Sequence, residues 1–151
     1  MPPEAQQSMS AIRRLDHVAI AVRDTDAALK TFEEILRLPI LHSEVLEDLR
    51  VRLTYLDVGN ALIQLVQPLE SDLELSRWLD EHGEGIHHIC FGVDDPLSAA
   101  AAMAPAGSPA PVLASGRGRI STLVPGELRH GVRFECTEFR PDEDIATLVV
   151  T

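Results

Sequence analysis

The chain has 151 residues and a mass of 16.5 kDa, the length of one compact domain with a substantial core and too short to add a second large one. Hydrophobic residues make up 45% and charged residues 25%, the balance of a globular chain, which excludes a disordered or fibrous one. With 13 Lys and Arg against 24 Asp and Glu, the net charge of −11 repels phosphate backbones and anionic lipid heads, so nucleic acid and membrane surfaces are excluded as partners.

The opening MPPEAQQSMS has neither the basic nor the apolar region of a signal peptide, and residues 1 to 11 read as a flexible tail. Residues 12 to 151 read as a single domain. In it, the alternating run from Val18 to Val22 has the period of a half-buried strand. Asp24 then caps a helix carrying Ala27, Ala28, Leu29 and Phe32. Three strands follow, near Ile40 to Leu46, Val51 to Val58 and Ala61 to Gln67, with Gly59-Asn60 as a hairpin turn. An amphipathic helix over about 70–84 presents Leu75, Trp78 and Leu79 on one face, with Trp78 as a core anchor, and ends at the Gly83-Glu84-Gly85 stretch.

The chain then repeats itself. Moved by 71 residues, DHVAIAVRDTDAAL lies over HHICFGVDDPLSAA, with His17 over His88, Val22 over Val93 and Asp24 over Asp95. Asp95 is the second helix cap, with Pro96 at the first helical position and the helix running to about Met103. Strands follow at Val112 to Ala114, Ile120 to Val124 and Gly131 to Glu138, joined by the turns SGRGR and PGELRHG. The fold class is α+β: two tandem βαβββ modules, about 14–68 and 86–140, that bury their apolar faces against each other.

The same shift places Gln64 over Glu135. His17, Gln64, His88 and Glu135 thus fall on the first and last strands of each module, at separations of 47, 24 and 47 residues. Two imidazoles, an amide oxygen and a carboxylate suit one divalent cation, Co²⁺, Zn²⁺, Ni²⁺, Mn²⁺ or Fe²⁺, and leave positions open for a chelating substrate. A strand histidine taken singly is more often a hydrogen-bonded core residue; the symmetry of the set argues for ligation. His87 neighbours His88 and is expected on the opposite strand face. His42, His82 and His130 read as solvated, and Arg117 and Arg119 as solvated loop charges rather than an anion site. Cys90 and Cys136 lie in apolar runs and read as reduced core residues of a cytoplasmic protein.

The segments LDHVAIAVRD, IQLVQPL, WLDEHGEGIHHICFGVDD and GVRFECTE resemble those of methylmalonyl-CoA epimerases, within the vicinal oxygen chelate superfamily that includes glyoxalase I, extradiol dioxygenases and bleomycin-resistance proteins. The resemblance implies a cupped, barrel-like sheet around a divalent metal held by His17, Gln64, His88 and Glu135. It implies an isomerase acting on a small acyl-CoA by proton transfer through an enolate, with Glu135 as base, Arg119 as a contact for substrate carboxylate or phosphate, and a homodimer. The sequence departs from the family at Leu53, where some epimerases carry a second glutamate; Glu47 and Asp48 lie upstream. Other functions open to the same scaffold are a lyase, a cyclase or a dioxygenase, or a metal-free protein that sequesters a ligand.

Overall fold

A computed structural model describes residues 12–111, 113–126 and 130–144. β1 (Ile12–Ala21) leads into α1 (Thr25–Leu29), which continues as a π-helical turn over Lys30–Ile35. β2 (Ile40–Leu46), β3 (Val51–Asp57) and β4 (Leu62–Pro68) complete the first module, and α2 (Glu74–His82) links it to the second. That module comprises β5 (Gly85–Val93), α3 (Pro96–Met103), β6 (Leu113–Gly116), β7 (Arg119–Leu123) and β8 (Phe134–Glu138).

Local chemistry explains the element boundaries. Asp24 accepts from Ala27 N at 3.2 Å and Asp95 from Ser98 N at 3.3 Å, so each module opens its helix with an aspartate cap. Gly83, at φ 76°, ends α2 in a conformation that side chains resist. Ala27 is exposed, and the helix packs through Ala28, Leu29 and Phe32 instead. The strands match the expected ones to within a few residues, except that β1 starts six residues before Val18 and β8 is confined to Phe134–Glu138. Of the expected sixth strand, Val112 lies outside the described residues.

All eight strands form one sheet in the order β2-β3-β4-β1-β5-β8-β7-β6. Within each module the first and last strands run parallel, β1 with β4 and β5 with β8, and the modules join through antiparallel β1 and β5. The sheet curls until its outer edges approach, and Arg117 N donates to Glu44 Oε2 at 2.7 Å across the gap. It is a nearly closed, barrel-like cup.

Period-two alternation divides the apolar residues between its two faces. On the convex side, α1 covers Val22, Leu56 and Leu65, and α3 covers Val93 and Cys136 through Ala99 and Ala100. Leu56 and Leu65 are fully buried, each worth about 1.5–3 kcal/mol relative to exposure. The concave side carries Ala19, Val51, Leu53, Tyr55 and Val66. Gly116 lies where the sixth strand meets this wall, and a Cβ there would collide with Tyr55 Oη and stand 3.2 Å from Leu53 Cδ1. Gly116→Ala should therefore lower the unfolding free energy in urea by about 1–3 kcal/mol; an unchanged midpoint would contradict this packing.

Candidate active site

The four residues singled out by the repeat stand on four adjacent strands. Ala19 of β1 is the register partner of Gln64 on β4 and of His88 on β5, while Cys90 of β5 is the partner of His17 on β1 and of Glu135 on β8. Two rows result, Gln64–Ala19–His88 and His17–Cys90–Glu135, related by the 71-residue repeat. The middle residue of each row is small and fully buried, which leaves room above it for the larger side chains on either side to converge. Ligand atoms of His17, His88 and Glu135 lie within 4.8 Å of one another.

Two β-bulges aim the histidines. In β1 the register slips between Leu15 and His17, leaving Asp16 as the extra residue; in β5 it slips between His88 and Ile86, leaving His87. Asp16 and His87 are themselves equivalent under the repeat. Asp16 Oδ2 accepts from His17 Nδ1 at 2.7 Å, and His87 Nδ1 stands 2.8 Å from His88 Nδ1. His87 therefore does not turn away to the opposite face as strict alternation predicts; the bulge brings its ring against His88, and Trp78 packs edge-on to it at 5.0 Å. Burial, then the neighbouring His88 and Arg133, pushes the His87 pKa down to about 3, so the ring is neutral. The Asp16 carboxylate requires a proton on His17 Nδ1; in the His87–His88 pair either ring can donate, and a proton on His88 Nδ1 is the assignment that frees its Nε2.

That assignment leaves two Nε2 lone pairs facing a carboxylate. His17 Nε2 lies 3.6 Å from Glu135 Oε1 and His88 Nε2 3.5 Å from Glu135 Oε2, and both nitrogens are buried without a hydrogen-bond partner. Gln64 Nε2 donates to Tyr55 Oη at 2.8 Å, so its free amide atom is Oε1. Unpartnered buried imidazole nitrogens are costly in a folded protein, and this donor set suits a borderline divalent cation. The residues fit such an ion, each histidine being oriented through its other nitrogen as metal-binding histidines are.

A second cluster, Asp16, His17 and Cys90, also brings potential ligand atoms within 4.8 Å. Its members are otherwise engaged: Asp16 bonds His17 and Arg117, and burial, reinforced by Glu135, raises the Cys90 thiol pKa well above its ordinary value. Burial alone would raise the Asp16 pKa, but the His17 bond and the Arg117 and Arg119 charges hold it below its usual value. Burial likewise raises the Tyr55 hydroxyl, which stays protonated.

The arginines of the SGRGR turn are not solvated. Arg119 is 3% exposed, bonded through Nη1 and Nη2 to Asp144 at 2.9 and 3.0 Å and through Nη2 to Glu143 at 2.7 Å. Arg117 bonds Asp16 and lies 4.7 Å over the Tyr55 ring. Both border a cavity of about 460 Å³ shared with Arg14, Asp16 and Asp144, separate from a smaller one of about 160 Å³ at Gln64, His88 and Glu135. Leu53 lines the smaller cavity, whereas Glu47 and Asp48 are exposed and do not. His42 bonds Glu44 at 2.8 Å, and His82 stacks on Trp78 at 4.8 Å, so neither ring is merely solvated. Trp78 is half-buried between the rings of His82 and His87 rather than anchored in a core cluster. Arg117 and Tyr55 are not marked by the repeat; the signals for Asp16 are its equivalence to His87 and its place as a charged residue directly before His17 in a strand.

A nearly closed eight-stranded cup with two histidines and a glutamate converging on its concave face defines the architecture of the vicinal oxygen chelate fold. The sequence matches the Glyoxalase/Bleomycin resistance protein/Dioxygenase superfamily over residues 16–119, and the chain belongs to that superfamily. It is 36% identical over 110 residues to the ethylmalonyl-CoA/methylmalonyl-CoA epimerase of Cereibacter sphaeroides, covering 72% of this chain and 81% of that protein. It is 34% identical over 83 residues to the mitochondrial methylmalonyl-CoA epimerase of Homo sapiens, covering 54% of this chain and 47% of that one. The chain thus spans about half the length of the human relative, and 57% of the uncharacterized protein YqjC of Bacillus subtilis. The Streptomyces coelicolor methylmalonyl-CoA epimerase in complex with 2-nitronate-propionyl-CoA superposes with a TM-score of 0.72 at 30% identity, over 85% of this chain and 95% of that one. Among the described residues no helix is long and apolar enough to cross a membrane.

The bonds behind His17 and around Glu135 can each be tested. Asp16→Asn should weaken divalent-cation binding about 10- to 100-fold in a competition titration against a chromophoric chelator; wild-type affinity would contradict the orienting role. In the metal-free protein, burial alone would raise the Glu135 pKa, but His88 and His17 pull it from 4.5 down to about 2. A folded-state value below the unfolded one makes the ionised carboxylate stabilising above pH 4.5, and that contribution is lost as pH falls through about 2. Urea unfolding across this window should show the loss in wild-type protein and not in Glu135→Gln; identical profiles would contradict the assignment.

Proposed function

We propose that this chain is an epimerase of a small 2-substituted malonyl-type acyl-CoA, working with one divalent cation held by His17, Gln64, His88 and Glu135. The observation that carries this reading is the pair of buried, unpartnered Nε2 atoms facing Glu135. Similarity to epimerases of this superfamily supports the reaction class.

Glu135 is ionised across neutral pH, so it enters the reaction ready to accept the α-proton; with Leu53 on the opposite wall, the proton returned to the other face of the planar carbon comes from solvent water, and its arrival there inverts the centre. When bound, the cation stabilises the negative charge that develops on the thioester oxygen, which is what lets so acidic a carboxylate take a carbon proton. Asp16 and His87 keep both imidazoles in one orientation throughout. Leu53, Val51 and Val66 line the cavity with apolar surface, which receives the alkyl branch. Arg119 is proposed as a substrate contact from the larger cavity, where its unpartnered Nε is the atom left to meet an anionic oxygen. We place the protein in the cytoplasm as a homodimer; exposed apolar side chains on β2 and before it, Ile35, Leu36, Leu41 and Val45, favour self-association.

Solvent deuterium incorporation at the α-carbon of methylmalonyl-CoA tests the reaction. Divalent metal is supplied, and Glu135→Gln controls for spontaneous exchange. Wild-type protein should exchange about 10²- to 10⁴-fold faster than the variant. Equal rates with bound metal would overturn the epimerase reading in favour of another chelating substrate.

A further inference from the structure

We infer that the Tyr55 hydroxyl is a substrate-binding hydrogen-bond donor, directed at an acceptor oxygen of the acyl group in the cavity beside Glu135. The inference rests on the acyl-CoA reading above and adds to it a recognition element that the repeat does not supply.

Tyr55 is the only tyrosine in the chain and is 2% exposed. Its ring is fixed on three sides: His17 meets it edge-on at 5.8 Å, the Arg117 guanidinium covers it at 4.7 Å, and Gly116 gives way to its oxygen by lacking a Cβ. A phenol both donates and accepts. If Gln64 is to offer Oε1 to a cation, its Nε2 must face Tyr55, and Nε2 is the atom found 2.8 Å from Tyr55 Oη. That bond occupies the phenol as an acceptor and leaves its own proton without an acceptor among the described residues. A buried donor left unpaired is costly, and the space it faces is the cavity of about 160 Å³ that it lines with Gln64, His88 and Glu135.

The rest of that cavity offers little competition for a substrate oxygen. Much of its wall is aliphatic, Ser121 Oγ is bonded to Thr137 Oγ1 at 2.7 Å, and Ser115, the other hydroxyl lining it, is a solvent-exposed residue. Leu53 Cδ1 and Tyr55 Oη crowd the same point above Gly116. Where the family resemblance places a carboxylate at position 53, this chain therefore puts a leucine with a phenol beside it. The buried polar group on that wall is the phenol, and the class of ligand it selects is an acyl group bearing a second oxygen acceptor next to the reacting carbon.

Tyr55→Phe removes the hydroxyl and keeps the ring beneath Arg117, so the variant should fold. The probe is 2-nitronate-propionyl-CoA, titrated calorimetrically into wild-type and Tyr55→Phe protein at saturating divalent metal, with metal affinity measured separately by chelator competition. The analogue should bind about tenfold more weakly to the variant, with metal affinity unchanged. Equal analogue affinity would overturn the inference. So would weakened metal binding with analogue affinity restored at saturating metal, since the phenol would then act only by holding Gln64. Wild-type protein that fails to bind the analogue would sink both readings. Binding that depends on Tyr55 without α-proton exchange would sustain the contact while overturning the epimerase.

Discussion

The pairing of β1 with β5 is the constraint on which the rest depends. It joins the two modules, and through Ala19 and Cys90 it brings four strands into a register where Gln64, His88, His17 and Glu135 surround two small residues. Neighbouring strands are about 4.8 Å apart, so the outer members of each row begin about 10 Å from each other, close enough for long side chains to meet above the row. Neither module holds the full donor set. Each contributes one histidine and one residue from its last strand, so the proposed site is complete only where the two are packed together.

The bulges add what a regular ladder would not provide. In an unbroken strand a histidine's sequence neighbours point to the opposite face, so neither stands beside its ring to select a tautomer. Inserting Asp16 and His87 places a partner within 2.7 and 2.8 Å of each Nδ1, and the ring nitrogen that remains is the one facing Glu135. Behind Asp16 the charges continue through Arg117 and Arg119 to Asp144. Asp144 also accepts from Arg140 N at 2.9 Å, tying the turn after β8 to the same network. Buried charges are tolerated only when paired, and this chain pairs an otherwise expensive aspartate with two guanidinium groups drawn from the opposite module.

Much of this architecture is legible in the amino-acid sequence. The 71-residue repeat is visible because both modules solve the same problem, a strand entering an aspartate-capped helix, and it equates the four candidate positions in pairs. What it hides is local. A bulge changes the face of one residue without changing the hydrophobic pattern around it, so strict alternation turns His87 the wrong way. Arg117 and Arg119 sit in a Gly-rich turn of the kind that is usually solvated; their burial depends on Asp16 and Asp144, 101 and 25 residues distant, which no local pattern reveals. Tyr55 alternates inward like Leu53 and Val51, and only the contact with Gln64 separates it from an ordinary core residue.

In the proposed cation site two imidazoles and oxygen donors, rather than the neighbouring thiol, hold the ion. X-ray absorption on the Co²⁺-loaded protein tests it directly. The first shell should contain nitrogen and oxygen only, with the multiple-scattering signature of two imidazoles that falls to one in His88→Ala. A sulfur neighbour from Cys90 near about 2.3 Å, or a spectrum with no imidazole, would contradict it.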